Sequence, residues 1–136
     1  GTEVGATHEH GTGDRTHGGD ALARRDMAWD ETRWNRDLLA FFRSAIALRR
    51  DHAGAVTGTR RRLLLDDEAQ TYAYELTSST GDDRLVVALN PGEKERRLPI
   101  PGAGRLLLAT RDGGAVHDEL VALPGRSGAV IAIVSG

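Results

Sequence analysis

Two groups of side chains near the start of the chain belong to types that do chemistry in proteins. His8, His10 and His17 lie close to Glu9 and Asp14, and imidazole and carboxylate groups are common metal ligands. Their spacing matches no specific zinc motif, so a polar surface loop is the simpler interpretation. No Gly-x-Ser-x-Gly elbow or Ser-His-Asp set is evident, and no two carboxylates stand out as acid and base. The residues alone therefore assign no catalytic or metal-binding group.

The glycine-rich start and the run of arginines at 60–62 suggest two kinds of binding site, and the surrounding sequence disfavours both. No Gly-x-Gly-x-x-Gly lies between a strand pattern and a helix pattern, and no Walker lysine follows, so we reject a phosphate-binding loop. Asp66, Asp67 and Glu68 closely follow the arginines, and the formal net charge of the chain is −2. A solvated strand is therefore favoured over a nucleic-acid-binding patch.

One strongly amphipathic helix, predicted over residues 34–52, must position the N-terminal residues. Its apolar side carries both phenylalanines of the chain, and arginines recur every seven residues on the opposite side. We expect Thr32 or Asn35 to cap its start and Gly54 to end it. Arg49 projects near the middle of the apolar side, which leaves two alternatives: a side chain that reaches out to water, or a buried structural salt bridge.

Short strand patterns replace the helical period after the helix. Two of them, 85–89 and 129–134, are apolar throughout, and we expect them to be central strands covered on both faces. The stretch 95–99 should be an edge strand, because proline cannot join a central ladder. Strands separated by turn signals in this way predict a mainly β fold, an antiparallel β-sandwich of about seven strands. The predicted strands are 59–65, 71–77, 84–90, 95–100, 105–109, 119–123 and 129–134.

Composition limits the remaining function classes. The chain has 136 residues, the length of one domain, and it begins with Gly rather than Met, so we expect a fragment or a processed form. It has no cysteine for disulfides or metal ligands, and no apolar run of membrane-spanning length. No signal peptide is visible. We expect a cytoplasmic protein without cofactor or metal that binds neither nucleic acid nor membrane, with secretion as the alternative location.

The N-terminal third resembles the end of the catalytic barrel in α-amylase family glycoside hydrolases. Residues 1–5 resemble the end of the Tyr-Tyr-Gly-x-Glu motif on the eighth barrel strand. Residues 20–30 resemble the stretch written Asp-Pro-x-x-Arg-x-Pro-Met-x-Trp-Asp, although Ala21 and Asp26 replace its two prolines and Thr2 stands where the family often has Asp. The matched positions are Asp20, Arg24, Met27, Trp29 and Asp30.

The rest of the chain continues the resemblance in the same order. The helix at 34–49 looks like the eighth barrel helix, and residues 85–90 look like the Val-x-Asn strand of the family's C-terminal β-sandwich. The branch of neopullulanases, cyclomaltodextrinases and maltogenic amylases looks closest, because of the Gly-Gly before Asp20 and the double Arg before Met27.

The resemblance implies retaining cleavage or transfer at α-glucosidic bonds, performed by three acids that follow the fourth, fifth and seventh barrel strands. None of those motifs is present in this chain, so no residue here inherits a catalytic role. The resemblance does imply substrate-binding roles for Arg24 and Glu3. We predict structural roles for Trp29, which precedes the helix, and for Arg49.

These observations predict two parts. Residues 1–54 would form the end of a (β/α)8 barrel, with its last active-site loop and last helix, and residues 55–136 the C-terminal β-sandwich. The chain would be a C-terminal fragment of a glycosidase, inactive alone, with the missing barrel portion and an α-glucan or maltooligosaccharide substrate as partners.

Two other classes remain as alternatives to the glycosidase fragment. One is a carbohydrate-binding module, for which Tyr72 and Tyr74 on one strand face are the relevant aromatics, although we expect them to be core. The other is a structural α+β domain without a ligand.

Overall fold

The computed structural model describes residues 2–5 and 29–134, so most of the predicted N-terminal loop lies outside the described residues. Two α-helices, α1 over Arg36–Asp51 and α2 over Ala53–Thr57, precede the strands. The strands are β1 Thr59–Asp66, β2 Thr71–Thr77, β3 Arg84–Asn90, β4 Arg96–Pro99, β5 Gly104–Ala109, β6 Ala115–His117, β7 Leu120–Leu123 and β8 Ser127–Ile133.

The chain divides into two compact units, Gly1–Ser44 and Ala45–Gly136, and each is described by itself. In the first unit the backbone amide of Asn35 donates to the Val4 carbonyl at 3.0 Å. The Asn35 side-chain oxygen accepts from the Leu38 amide, also at 3.0 Å, so Asn35 is the residue that caps α1. The predicted boundary between residues 54 and 55 stays a prediction.

Helix α1 ends at Asp51, one residue before the predicted end at residue 52. His52 leaves the helical region with φ −113° and ψ 34°, and Gly54 lies inside α2, so the prediction that Gly54 ends the helix is wrong. The His52 ring Nδ1 lies 2.8 Å from the Asp83 carboxylate in the β2–β3 turn, which ties the helix end to the sandwich. No residue of α1 is fully buried: Phe41, Phe42 and Leu48 are half-buried, and Ile46 is 66% exposed.

The strands form two antiparallel sheets that pack as a sandwich. The large sheet has the order β1-β2-β3-β8-β5, and the small sheet has the order β4-β7-β6. The predicted mainly β sandwich is confirmed, and all seven predicted strands are present. One further strand, β6, was not predicted, because its three residues are too few to show an alternating pattern.

Alternate residues of both sheets point inward and build one core, as the period of two in a strand requires. Nearly all of these residues are aliphatic, and burying each leucine, isoleucine or valine stabilises the fold by about 1.5–3 kcal/mol before chain entropy is counted. The buried core consists of Ala73, Val86, Ala88, Leu98, Ile100, Val121, Leu123, Ala129, Ile131 and Ile133.

The central strands are covered on one face and only partly on the other. β3 and β8 lie in the interior of the large sheet, as predicted. Their second face is not fully covered, however, since Leu89 is 39% exposed and Val130 is half-buried. The expectation of full cover on both faces is corrected, because the small sheet reaches only the inner face.

Three edge strands contain a proline or a β-bulge. β4, with Pro99, is an edge of the small sheet, which confirms the prediction. The two edges of the large sheet, β1 and β5, each contain a bulge, between Arg62 and Leu64 in the first and between Leu106 and Leu108 in the second.

One buried amide connects the two sheets at a corner of the sandwich. Asn90 ends β3 and is fully buried. Its side-chain nitrogen lies 2.9 Å from the Lys94 carbonyl, 3.1 Å from the Leu123 carbonyl and 2.9 Å from the Pro124 carbonyl. These acceptors belong to the β3–β4 turn and to the end of β7, so a single side chain contacts two of the four connections that cross between the sheets.

Backbone contacts reinforce the same corner. The Arg126 amide donates to the Gly92 carbonyl at 2.7 Å, and the Arg126 guanidinium bonds the Glu93 carboxylate. Gly125 lies so close to Glu93 that a Cβ at this position would fall 2.0 Å from the Glu93 carbonyl oxygen. Only glycine fits there. We call this group of contacts the Asn90 corner.

Replacing Asn90 with aspartate should destabilise the fold severely. The change puts a carboxylate oxygen in the place of the amide nitrogen, facing three carbonyl oxygens without a donor. We expect Asn90→Asp to lower the free energy of unfolding by about 2–5 kcal/mol, measured by urea denaturation at pH 7. Gln70→Glu, the same chemical change on an exposed neighbour, is the control and should stay within about 0.5 kcal/mol. A loss below about 1 kcal/mol for Asn90→Asp would contradict this account.

Candidate functional site

The structure describes only part of the predicted substrate-binding pair. Arg24 lies outside the described residues, so its predicted role stays a prediction. Glu3 lies in a short 3-10 helix over Thr2–Val4 and is half-buried. A hydrogen bond from its own backbone amide lowers the pKa of the Glu3 carboxyl, which keeps this side chain charged.

The two residues predicted to be structural both lie at the surface of this chain. Trp29 is 79% exposed, so no part of the described chain buries its ring, and its predicted structural role stays a prediction. Arg49 is also exposed and forms no ion pair with the residues that the structure describes. The predicted structural role of Arg49, with its two alternatives, stays a prediction.

The metal hypothesis falls on residues that are not described. His8, His10 and His17 all lie outside the described ranges. Within residues 2–5 and 29–134, no three His, Cys, Asp or Glu side chains are grouped so that they could hold a metal ion. The same ranges contain no helix whose length and apolar character would suit a membrane crossing.

The two tyrosines of the chain lie on the outward face of the large sheet with an arginine laid over them. Tyr72 and Tyr74 are half-buried, with ring centroids 5.6 Å apart and ring planes inclined by 39°. The Arg60 guanidinium lies 4.0 Å from the centroid of Tyr74, and it donates to the Tyr72 hydroxyl at 2.8 Å. The expectation that these rings are core is wrong, because they alternate with the inward residue Ala73. We call Arg60, Tyr72 and Tyr74 the tyrosine cluster.

A buried carboxylate lies on the other face of the same strand. The Glu75 side chain is 5% exposed and is bonded by Arg61 at 2.8 Å and by Arg84 at 2.5 Å. Burial alone would raise the pKa of the Glu75 carboxyl, but the hydrogen bonds from the two guanidiniums outweigh it and hold the pKa below its usual value. This carboxylate is fully neutralised, which suits a structural role and not acid–base catalysis.

Sequence reasoning missed both arrangements for the same reason. The interpretation of residues 60–62 as a solvated strand agrees with their exposure, but it does not predict that Arg60 covers the tyrosines or that Arg61 bonds Glu75. Neighbouring strand residues point to opposite faces, so the signal is present in the alternation. The pairing of Arg61 with Glu75 depends on strand register, which puts these two residues opposite each other.

A protein-family model matches the sandwich and the end of α1. Residues 49–130 match the family described as "Domain of unknown function (DUF3459)". The match covers more than half of the chain and every strand except the last residues of β8.

Curated relatives match this chain over a small part of their own length. A cyclomaltodextrinase from Bacillus sp is 40% identical over 73 residues, which are 54% of this chain and 13% of the relative. A second cyclomaltodextrinase, from Geobacillus thermopakistaniensis (strain MAS1), is 27% identical over 115 residues, 80% of this chain and 19% of the relative. Neopullulanase 2 from Thermoactinomyces vulgaris is 35% identical over 103 residues, which are 74% of this chain and 17% of the relative. The chain thus spans less than a fifth of each.

Solved structures share the fold. A variant of isomaltulose synthase from Erwinia rhapontici NX5, in complex with D-glucose, superposes with a TM-score of 0.59 at 20% identity, covering 72% of this chain and 18% of that one. A variant of trehalulose synthase MutB superposes with a TM-score of 0.58 at 20% identity, covering 70% of this chain and 18% of that one. At this identity the likeness concerns the fold alone.

The Glu75 ion group should make stability depend on pH in the acid range. Because the folded pKa lies below the ordinary value of 4.5, its contribution is complete above that pH and is lost as the pH falls through the folded pKa. We expect Glu75→Gln to lower the free energy of unfolding by about 1–3 kcal/mol at pH 7 and much less at pH 3. Denaturant titrations at both pH values measure this.

The chain offers a matched control for the Glu75 measurement. Glu93 is also bonded by an arginine, Arg126, but both side chains are exposed. Glu93→Gln should therefore change stability by less than about 1 kcal/mol at either pH. An equal loss for Glu75→Gln at pH 3 and pH 7 would refute the role of the carboxylate charge.

Proposed function

Because the chain belongs to the DUF3459 family and forms a C-terminal portion of the α-amylase family type, we propose that it is a fragment of a glycosidase that acts on α-glucosidic bonds of oligo- or polysaccharides. The observation that carries the proposal is the extent of the match to the second cyclomaltodextrinase, which covers 80% of this chain. That match is longer than the family match of residues 49–130, so it includes residues beyond the sandwich.

In the proposed parent enzyme the two parts of the chain have different roles. The end of the barrel would bring a loop to the catalytic face, since the loops that follow barrel strands lie there. Arg24 and Glu3 would then lie near the substrate. The sandwich would pack at the end of the chain, and its neutralised Glu75 and buried Asn90 support a structural role.

The proposed partners are the missing barrel portion and a neutral α-glucan or maltooligosaccharide. The names of the relatives, cyclomaltodextrinase and neopullulanase, support this substrate class. An α-glucan is uncharged, so its recognition relies on hydrogen bonds to hydroxyl groups and on contact with the apolar faces of the sugar rings.

The isolated chain should not cleave α-glucans. Glycosidic cleavage needs two carboxyl groups that flank the bond, and the three acid motifs of the family are absent from the sequence. We expect no new reducing ends when the purified chain is incubated with maltooligosaccharides or cyclodextrin. Turnover that survives repurification would refute the proposal that catalysis depends on a missing barrel.

Arg24 and Trp29 should behave differently when changed in the complete enzyme. A guanidinium presents fixed donors for carboxylates or hydroxyls, so Arg24→Ala should lower kcat/KM by about tenfold or more and leave the melting temperature nearly unchanged. If the parent buries the ring, Trp29→Ala should lower the melting temperature and leave kcat/KM nearly unchanged. The free energy of unfolding should then fall by about 3–5 kcal/mol.

The isolated chain is the control for the tryptophan. Trp29 is 79% exposed in it, so Trp29→Ala should leave its melting temperature unchanged. Wild-type kinetics for Arg24→Ala would remove the substrate-binding role, and an unchanged melting temperature of the complete Trp29→Ala enzyme would mean that this ring is not core.

A further inference from the structure

We propose that the outward face of β1, β2 and β3 is a binding surface for α-glucan chains, with Tyr72 as the stacking ring and Arg60 as the hydroxyl-binding group. The proposal rests on the proposed function, because the substrate class comes from it. The surface itself is argued from strand register, exposure and the geometry of the tyrosine cluster.

Strand register puts an apolar row around Tyr72. Leu65 on β1 and Leu89 on β3 both pair with Tyr72, so the three side chains lie side by side on the outward face. Leu65 is 54% exposed and Leu89 is 39% exposed. In a solvated sheet face these positions are normally polar, so an open row of two leucines and a tyrosine marks a contact surface.

The two tyrosines differ in how open their rings are. The Arg60 guanidinium lies 4.0 Å from the Tyr74 centroid but 5.9 Å from the Tyr72 centroid. It therefore lies directly on the face of Tyr74 and is about 2 Å farther from the ring of Tyr72. Tyr72 is the ring against which a ligand can lie, and Tyr74 serves to hold the arginine.

One hydrogen bond and the contact with the tyrosine rings fix the position of the Arg60 guanidinium. One guanidinium nitrogen donates to the Tyr72 hydroxyl at 2.8 Å, and a guanidinium has five N–H donors in a rigid plane. The remaining donors can serve a ligand that lies on Tyr72. Because ring and guanidinium are already ordered, a ligand would lose little of its binding energy to ordering the protein.

A pyranose ring has the chemistry that this surface requires. Its C–H groups form an apolar face that suits the electron-rich face of a tyrosine and the adjoining leucines. Its hydroxyls accept hydrogen bonds from a guanidinium at the border of the row. A small anion would use Arg60 alone and would leave Leu65, Tyr72 and Leu89 without a role.

The cluster is also where the aromatics of the sandwich are concentrated. Both tyrosines of the chain lie in it, whereas both phenylalanines and both tryptophans lie at or before residue 42. In the described sandwich the tyrosine cluster is therefore the place where a sugar can stack on an aromatic ring.

The experiment is affinity electrophoresis of the 136-residue chain in native gels that contain glycogen, with maltoheptaose titrations by calorimetry as the second readout. We expect the wild-type chain to be retarded by glycogen. Tyr72→Ala and Arg60→Ala should each weaken binding by about fivefold or more, as expected for loss of one aromatic or charged contact. Tyr72→Phe keeps the ring but removes the hydrogen bond to Arg60, so it should weaken binding less than Tyr72→Ala.

Matched controls separate binding from folding. Leu120 lies on the small sheet and is 44% exposed, similar to Leu89. Leu120→Ser should leave retardation unchanged, whereas Leu89→Ser should weaken it. Since both leucines are exposed, both variants should keep the wild-type circular dichroism spectrum, so this pair decides the question even if Tyr72→Ala does not fold.

Three results would overturn the proposal. They are an unretarded wild-type chain, retardation that persists in both Tyr72→Ala and Leu89→Ser, and an equal loss in Leu120→Ser. None of these results bears on hydrolysis by the complete enzyme, so failure here is distinguishable from failure of the proposed function.

Discussion

The sandwich depends on the Asn90 corner, where one amide meets the acceptors of two separate chain crossings. A two-sheet fold must carry the chain from one sheet to the other, and each crossing leaves carbonyl groups that no ladder satisfies. Here the chain crosses between the sheets after β3, β4, β5 and β7, and the same amide nitrogen serves the first and the last of these crossings. Its oxygen has no donor among the described residues, so the side chain is held by its nitrogen alone.

The corner also sets the relative position of the strands that form the core. β3 and β8 are neighbours in the large sheet, and β4 and β7 are neighbours in the small one. The corner joins the end of β3 to β4 and the end of β7 to β8. Fixing the two crossings together therefore aligns both pairs of strands, and the inward leucines and isoleucines of the two sheets meet without a long connection.

Local signals were sufficient for most of the fold. Turn residues such as those at 90–92 and 124–125 separate apolar stretches whose period of two marks strands, so seven strands were predictable one at a time. The predictions that were wrong or missing concern features that depend on contacts between residues distant in sequence. The outward exposure of Leu89 and the break at His52 follow from which elements pack where, and β6 is recognisable only by its pairing with β7.

In the candidate site, too, local sequence patterns predicted some features, and contacts between distant residues determined the others. Alternation correctly put Tyr72 and Tyr74 on one face, but whether that face is inside or outside depends on which side the small sheet covers. The link from Arg61 to Glu75 required the register of β1 with β2. The family resemblance came from side-chain identities in residues 1–52, and the residues it singled out nearest to substrate include Arg24, which lies outside the described residues.

The bulges of β1 and β5 have a consequence for how this protein meets other molecules. A straight edge strand offers a row of free amides and carbonyls on which a strand of another chain can assemble. Both edges of the large sheet are interrupted by an extra residue, and β1 adds three consecutive arginines. Like charges on two approaching β1 edges repel, and the kinked backbone offers few consecutive partners. The bulges and the arginines therefore disfavour the addition of a strand from another chain at both edges of the large sheet.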